Sequence, residues 1–250
     1  MEAYATAAQV YAAGLVFARI GTMVMLVPGL GDPMVPARLR LSLAFLMALV
    51  LTPLVAPGLA VPATVAGMAG AVIREVLIGL MIGGILRLFL NSLAVAGEVV
   101  AIQTTLGFAQ TVNPAQATPS ATLSTFLSLL GTVLIMTTDL HHLFFGAMVR
   151  SYSLFPFGHA VPVNDGVTLA VQTISGSFAL GIQLSAPVLV FSLVFNLAAG
   201  LVGRAMPQFQ IYFASAPLTV ILGLSIFAMS LGLVGIVWAS RYRDLLGIFS

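Results

Sequence analysis

Cysteine and lysine are both absent from the 250 residues, and only 6% of positions carry a charge. Without cysteine there is no disulfide and no thiolate metal ligand, so cysteine usage says nothing of a redox compartment. Without lysine the phosphate-cradling Gly-Lys-Thr loop cannot be written, and no Gly-x-Ser-x-Gly elbow occurs either. No two acidic residues stand at a helical spacing suited to acid–base work, so the sequence argues against an enzyme. Nine arginines face seven acidic residues, a net +2 that is too small and too dispersed for a nucleic-acid surface. Histidine is equally scarce. His141 and His142 are neighbours and so diverge around a helix, unlike an i, i+4 metal pair, and only His159 remains. No metal site and no cofactor is expected.

What the chain has in abundance is hydrocarbon. It is 60% hydrophobic with a mean hydropathy of +1.13, which places it among integral membrane proteins. The N-terminus lacks a positive n-region and Arg19 interrupts the first apolar stretch, so no cleavable signal peptide is expected. Apolar helical runs are predicted over 9–27, 39–55, 63–106, 121–150, 167–201 and 211–239. The third, about twice a single crossing, is one long helix or two with a bend. Pro187 predicts a kink in the fifth run and Pro217 a kink or break in the last. With no alternating strand pattern and no internal repeat, the expected fold is all-α: a polytopic helical membrane protein of about six long, partly broken apolar helices.

Polar residues inside these runs are few enough to weigh singly. Gly79 and Gly83 form a small-xxx-small pair that lets another helix backbone approach closely. Arg87, Asn91 and Glu98 fall on one face at about 100° per residue, and mid-membrane charge is costly, so that face should meet protein or water. Arg74 and Glu75 are neighbours that point to different sides. Topology is not settled by the positive-inside rule, because Arg38, Arg40 and Arg204 put both termini outside whereas Arg241 and Arg243 ask for a cytoplasmic C-terminus.

One stretch stands apart: 107–120 is polar yet charge-free, bounded by apolar runs and broken by Asn113-Pro114 and Thr118-Pro119. An exposed loop would be expected to carry solvating charge. A loop without any suits a site packed inside something.

Four segments carry a family resemblance. Val35-Pro-Ala-Arg-Leu-Arg-Leu-Ser-Leu-Ala44, Ala96 to Gln103 running into Leu106-Gly-Phe-Ala-Gln-Thr-Val-Asn-Pro114, Asn196 to Gln208, and Ala216-Pro-Leu-Thr219 closely resemble, in order, the flagellar biosynthetic protein FliR family. Thr105 stands where that family often has Gly, and Asn113 where Asp-Pro is frequent.

The resemblance implies a core subunit of the flagellar type III protein export gate in the bacterial inner membrane, at the basal body. It implies one domain over 1–250, built like FliP over 1–200, with 201–250 and the preceding helix built like FliQ. FliP and FliQ are the implied partners in a hetero-oligomeric ring passing unfolded substrates, with FlhB and FlhA nearby. The implied pore plug comprises Leu106, Gly107, Phe108, Ala109, Gln110, Thr111, Val112, Asn113 and Pro114; subunit contacts are implied at Gly79, Gly83, Arg87, Asn91, Glu98 and Arg204. Three alternatives stay open at this point: an injectisome homologue, a secondary transporter with Arg87, Asn91 and Glu98 lining its path, and an assembly nucleus without gating.

Overall fold

A computed structural model describes residues 7–32, 34–106, 121–159, 163–206, 208 and 211–247. Among them all regular structure is helical, in seven helices: α1 (Ala7–Leu26), α2 (Ala37–Val55), α3 (Val65–Gln103), α4 (Ala121–Thr137), α5 (Leu140–Leu154), α6 (Val163–Ala205) and α7 (Ile211–Gly247). The all-α expectation holds. By length and composition, five helices among the described residues could cross a membrane, or six if the bent pair α4 and α5 counts as one span.

The long run is one uninterrupted helix. α3 has 39 residues, about 58 Å at 1.5 Å per residue, because nothing in it removes a backbone donor. Pro187 lies inside α6 and Pro217 inside α7 without ending either, while the expected helix through Asp139 is broken. There Asp139 takes φ 58°, a left-handed conformation that aspartate tolerates better than most residues and that α-helix cannot continue through. Asn164-Asp165-Gly166, expected in a connection, instead opens α6, where an acidic Asp165 suits the positive end of the helix dipole.

The chain divides into two compact units, one drawn from Met1–Phe89, Ile135–Ile174 and Tyr242–Ser250, the other from Leu90–Leu134 and Ser175–Arg241. In the first, Val16, Ile20 and Met23 of α1, Ile78, Ile82 and Leu86 of α3, and Leu140 and Met148 of α5 are buried. In the second, Leu93 and Val100 of α3, Leu127 of α4, Val188 of α6 and Trp238 of α7 are buried. Lipid is as apolar as these side chains, so their burial alone does not hold helices together; close backbone approach and interhelical hydrogen bonds do.

Gly79 and Gly83 supply such an approach. A Cβ at Gly79 would lie 2.5 Å from the Arg19 carbonyl oxygen, and one at Gly83 3.0 Å from Leu26 Cβ. The backbone that the glycine pair admits is therefore α1 of the same chain. The second unit repeats the device: a Cβ at Gly97 would meet the Ser124 backbone at 2.6 Å, and one at Gly181 would lie 2.8 Å from the Ser92 carbonyl oxygen. The single tryptophan, fully buried, donates from Nε1 to Ser92 Oγ at 3.1 Å.

Candidate functional site

The charge-free loop leaves α3 and enters α4, and the ends of these helices form its base. Gly107, Phe108, Ala109, Gln110, Thr111, Val112, Asn113 and Pro114 lie outside the described residues. Leu106 is described and is 39% exposed. The base itself is polar and tightly joined. Glu98 accepts a hydrogen bond from Ser124 Oγ at 3.2 Å, one residue from the contact between Gly97 and the α4 backbone. Gln103 Oε1 accepts from Ser192 Oγ of α6 at 2.9 Å. Thr104 is fully buried and returns its hydroxyl to the Val100 carbonyl at 2.8 Å. Opposite it, a Cβ at Gly223 of α7 would lie 2.6 Å from Thr104 Cγ2, so glycine is required for α7 to sit there.

Thr105 ends this arrangement in a left-handed conformation, φ 58°, with its amide reaching the Ile102 carbonyl at 3.2 Å. A β-branched residue is strained in that region, by about 1–2 kcal/mol, whereas glycine is not. Thr105, where the resemblance implies Gly, is therefore the residue that turns the chain out of α3. Hydrogen bonds thus join α3, α4 and α6 at the loop's base, and the close approach of Gly223 adds α7, an arrangement suited to positioning a segment.

The remaining expected site residues are dispersed. Arg87 and Glu98 are half-buried, while Asn91 and Arg204 are exposed. Sequence reasoning missed the strongest polar cluster, which lies in the first unit. Arg19 is fully buried, and its Nε donates to Glu75 Oε2 at 2.6 Å. Its terminal nitrogens donate to the Phe155 carbonyl at 2.8 Å and to the Ser151 carbonyl at 2.9 Å, the latter also accepting the Phe155 amide at 2.9 Å, so the guanidinium covers the end of α5. The guanidinium carbon stands 4.1 Å from the Tyr152 ring centroid. A charge inside an apolar run was the available signal; its partner, 56 residues away, was not readable.

An apolar cleft of about 920 Å³ opens between α1 and α2, bordered by Ala13, Phe17, Phe45, Leu49 and Thr52 among others. Neither Arg87, Asn91 nor Glu98 borders it, so it offers no charged solute path of the transporter kind. The two histidines do not diverge as expected. Their rings stand 4.1 Å apart, centroid to centroid, at the start of α5.

The fold and its loop base define a polytopic membrane protein whose polar chemistry is positional. Residues 10–245 match the model of the bacterial export proteins, family 1. The flagellar biosynthetic protein FliR of Caulobacter vibrioides is 61% identical over 251 residues, covering all of both chains. That of Aquifex aeolicus is 27% identical, covering 94% of this chain and 91% of its own length, and that of Escherichia coli 29%, covering 86% and 82%. This chain belongs to the bacterial export family of flagellar biosynthetic protein FliR.

Proposed function

We propose that the chain is a core subunit of the flagellar protein export gate, assembling with FliP and FliQ around a pore for unfolded substrates, with FlhB and FlhA nearby. Its membership of the FliR family supports a role in the flagellar export apparatus. The observation that carries the multi-chain part is the length of exposed apolar surface along α6. Exposed apolar residues run from Val167 through Val171, Phe178, Val190 and Leu197 to Leu201, a rise of about 51 Å at 1.5 Å per residue. Hydrocarbon about 30 Å thick covers only part of that length even around a tilted helix, which supports cover of the rest by other protein chains. α2 points the same way, with only 11% of its span buried within the chain.

The segment from Leu106 to Thr122, whose last two residues already belong to α4, is the closing element in this proposal. A charge-free segment can fill a narrow passage without stranding a charge there, and Leu106, Phe108 and Val112 would exclude water. The site is the bacterial inner membrane at the basal body. Over 1–200 the chain takes the FliP-like part, and 201–250 with the preceding helix the FliQ-like part. Arg87, Asn91, Glu98 and Arg204 are proposed at subunit contacts, while Gly79 and Gly83 act by seating α1, which completes the surface presented to partners.

A strain lacking this chain should lose flagellar export and motility, and re-expression should restore both. Co-expressed FliP and FliQ chains should co-purify with it. Motility unaffected by the deletion, or a chain that never associates with them, would overturn the proposal.

A further inference from the structure

The break between α4 and α5 gathers three metal-ligating side chains. Asp139, His141 and His142 each bring one ligand atom within 4.8 Å of the others, with Asp139 and His142 exposed and His141 half-buried. His142 Nδ1 stands 3.7 Å from Asp139 Oδ1. That is too long for a good hydrogen bond. It is the separation that one ion about 2.1 Å from each atom would span, at an angle of about 125°. Ligand atoms on one tetrahedral ion are about 3.4 Å apart, so the exposed side chains need to close by up to about 1.4 Å, within reach of a rotation about their side-chain bonds.

The surroundings orient the set. His141 Nδ1 lies 3.4 Å from the Ile135 carbonyl oxygen, in the last turn of α4. A carbonyl oxygen can only accept, so a proton on Nδ1 would be held there and Nε2 left as the ligand, the arrangement that supports metal-bound imidazoles. The left-handed Asp139 turns its carboxylate to the side of the helix start on which both rings lie. Two imidazoles and a carboxylate with open positions suit a divalent transition ion of the zinc and cobalt class, not calcium or magnesium, which require oxygen ligands.

We propose that Asp139, His141 and His142 form a divalent transition-metal site that braces the α4–α5 break. The site is independent of the export role.

The test is equilibrium dialysis of Zn²⁺ against the full chain in lipid nanodiscs, carrying a tag free of histidine. The wild-type chain should bind one ion saturably. Asp139→Asn, which keeps the left-handed turn accessible, should weaken binding at least about tenfold, the scale that even supporting residues of metal sites command. The His141→Ala/His142→Ala pair should abolish it, and His159→Ala should leave it unchanged. Circular dichroism confirms that each variant is folded. Wild-type affinity in the folded double variant, loss of binding on changing His159, or no saturable binding by the wild-type chain would overturn the proposal.

Discussion

Arg19 and Glu75 face each other at 2.6 Å with neither in contact with solvent, joining α1 to α3 in the first unit. The pair is fully supported, since Arg19 also holds the last carbonyls of α5. Removing one partner leaves the other as an uncompensated buried charge, which costs about 3–5 kcal/mol. Arg19→Ala and Glu75→Ala should each lower the thermal midpoint of the chain in detergent. The double change Arg19→Met/Glu75→Leu should be less damaging than either, because no charge is stranded. Its recovery should be incomplete, because the Phe155 carbonyl loses the Arg19 donor and the Ser151 carbonyl keeps only the Phe155 amide. Additive losses in the double variant would contradict this reading.

Gly79→Ala should destabilise by about 1–3 kcal/mol, the usual range for overpacking, and by more than Gly83→Ala. The difference follows from how closely each new methyl would be met: at Gly79 by Thr22 Oγ1 and, at 2.5 Å, the Arg19 carbonyl oxygen, at Gly83 by nothing nearer than Leu26 Cβ at 3.0 Å. Gly14→Ala in α1 has no neighbour within 4 Å and should be neutral or stabilising. Circular-dichroism melts of the three variants check the order.

Thr105→Gly should stabilise by about 0.5–1 kcal/mol, the left-handed strain relieved less the backbone entropy that glycine adds to the unfolded chain. Thr105→Val should not stabilise at all. Melts of the two variants decide, and equal midpoints would count against the left-handed turn at the loop's base.

Gly97→Leu should force α4 from α3 at the loop's base, since even a Cβ there would meet the Ser124 backbone at 2.6 Å. In cells carrying the assembled gate it should reproduce part of the leak expected from removing the loop. Glu98→Gln should have little effect, because a neutral amide oxygen still accepts from Ser124. The readout is membrane potential in the two strains.

The helices were legible wherever hydrophobicity ran unbroken: α3 was expected over 63–106 and spans Val65–Gln103. Boundaries failed where polar residues were read as punctuation. Asn164-Asp165-Gly166 has the composition of a turn, yet the same residues favour a helix start, and only packing chooses between them. Asp139 failed in the opposite sense, since one aspartate amid leucine and histidine gives no glycine or proline signal for a left-handed residue. The loop's base was legible in part. Its charge-free character and the Thr105 departure were visible, but its anchors Ser124, Ser192 and Gly223 are small residues that sequence alone leaves anonymous. The Arg19–Glu75 pair was hidden by separation, because each charge announces that it needs a partner and not which one.

The central claim is that the loop based on Gly97, Gln103, Thr104 and Ser124 closes a pore. The most direct measurement is ion permeability of cells carrying the assembled gate with Phe108 to Ala117 deleted, at export-complex levels matched to the wild type. The account predicts a raised ion leak and a lowered membrane potential. Unchanged permeability in a fully assembled complex would contradict it.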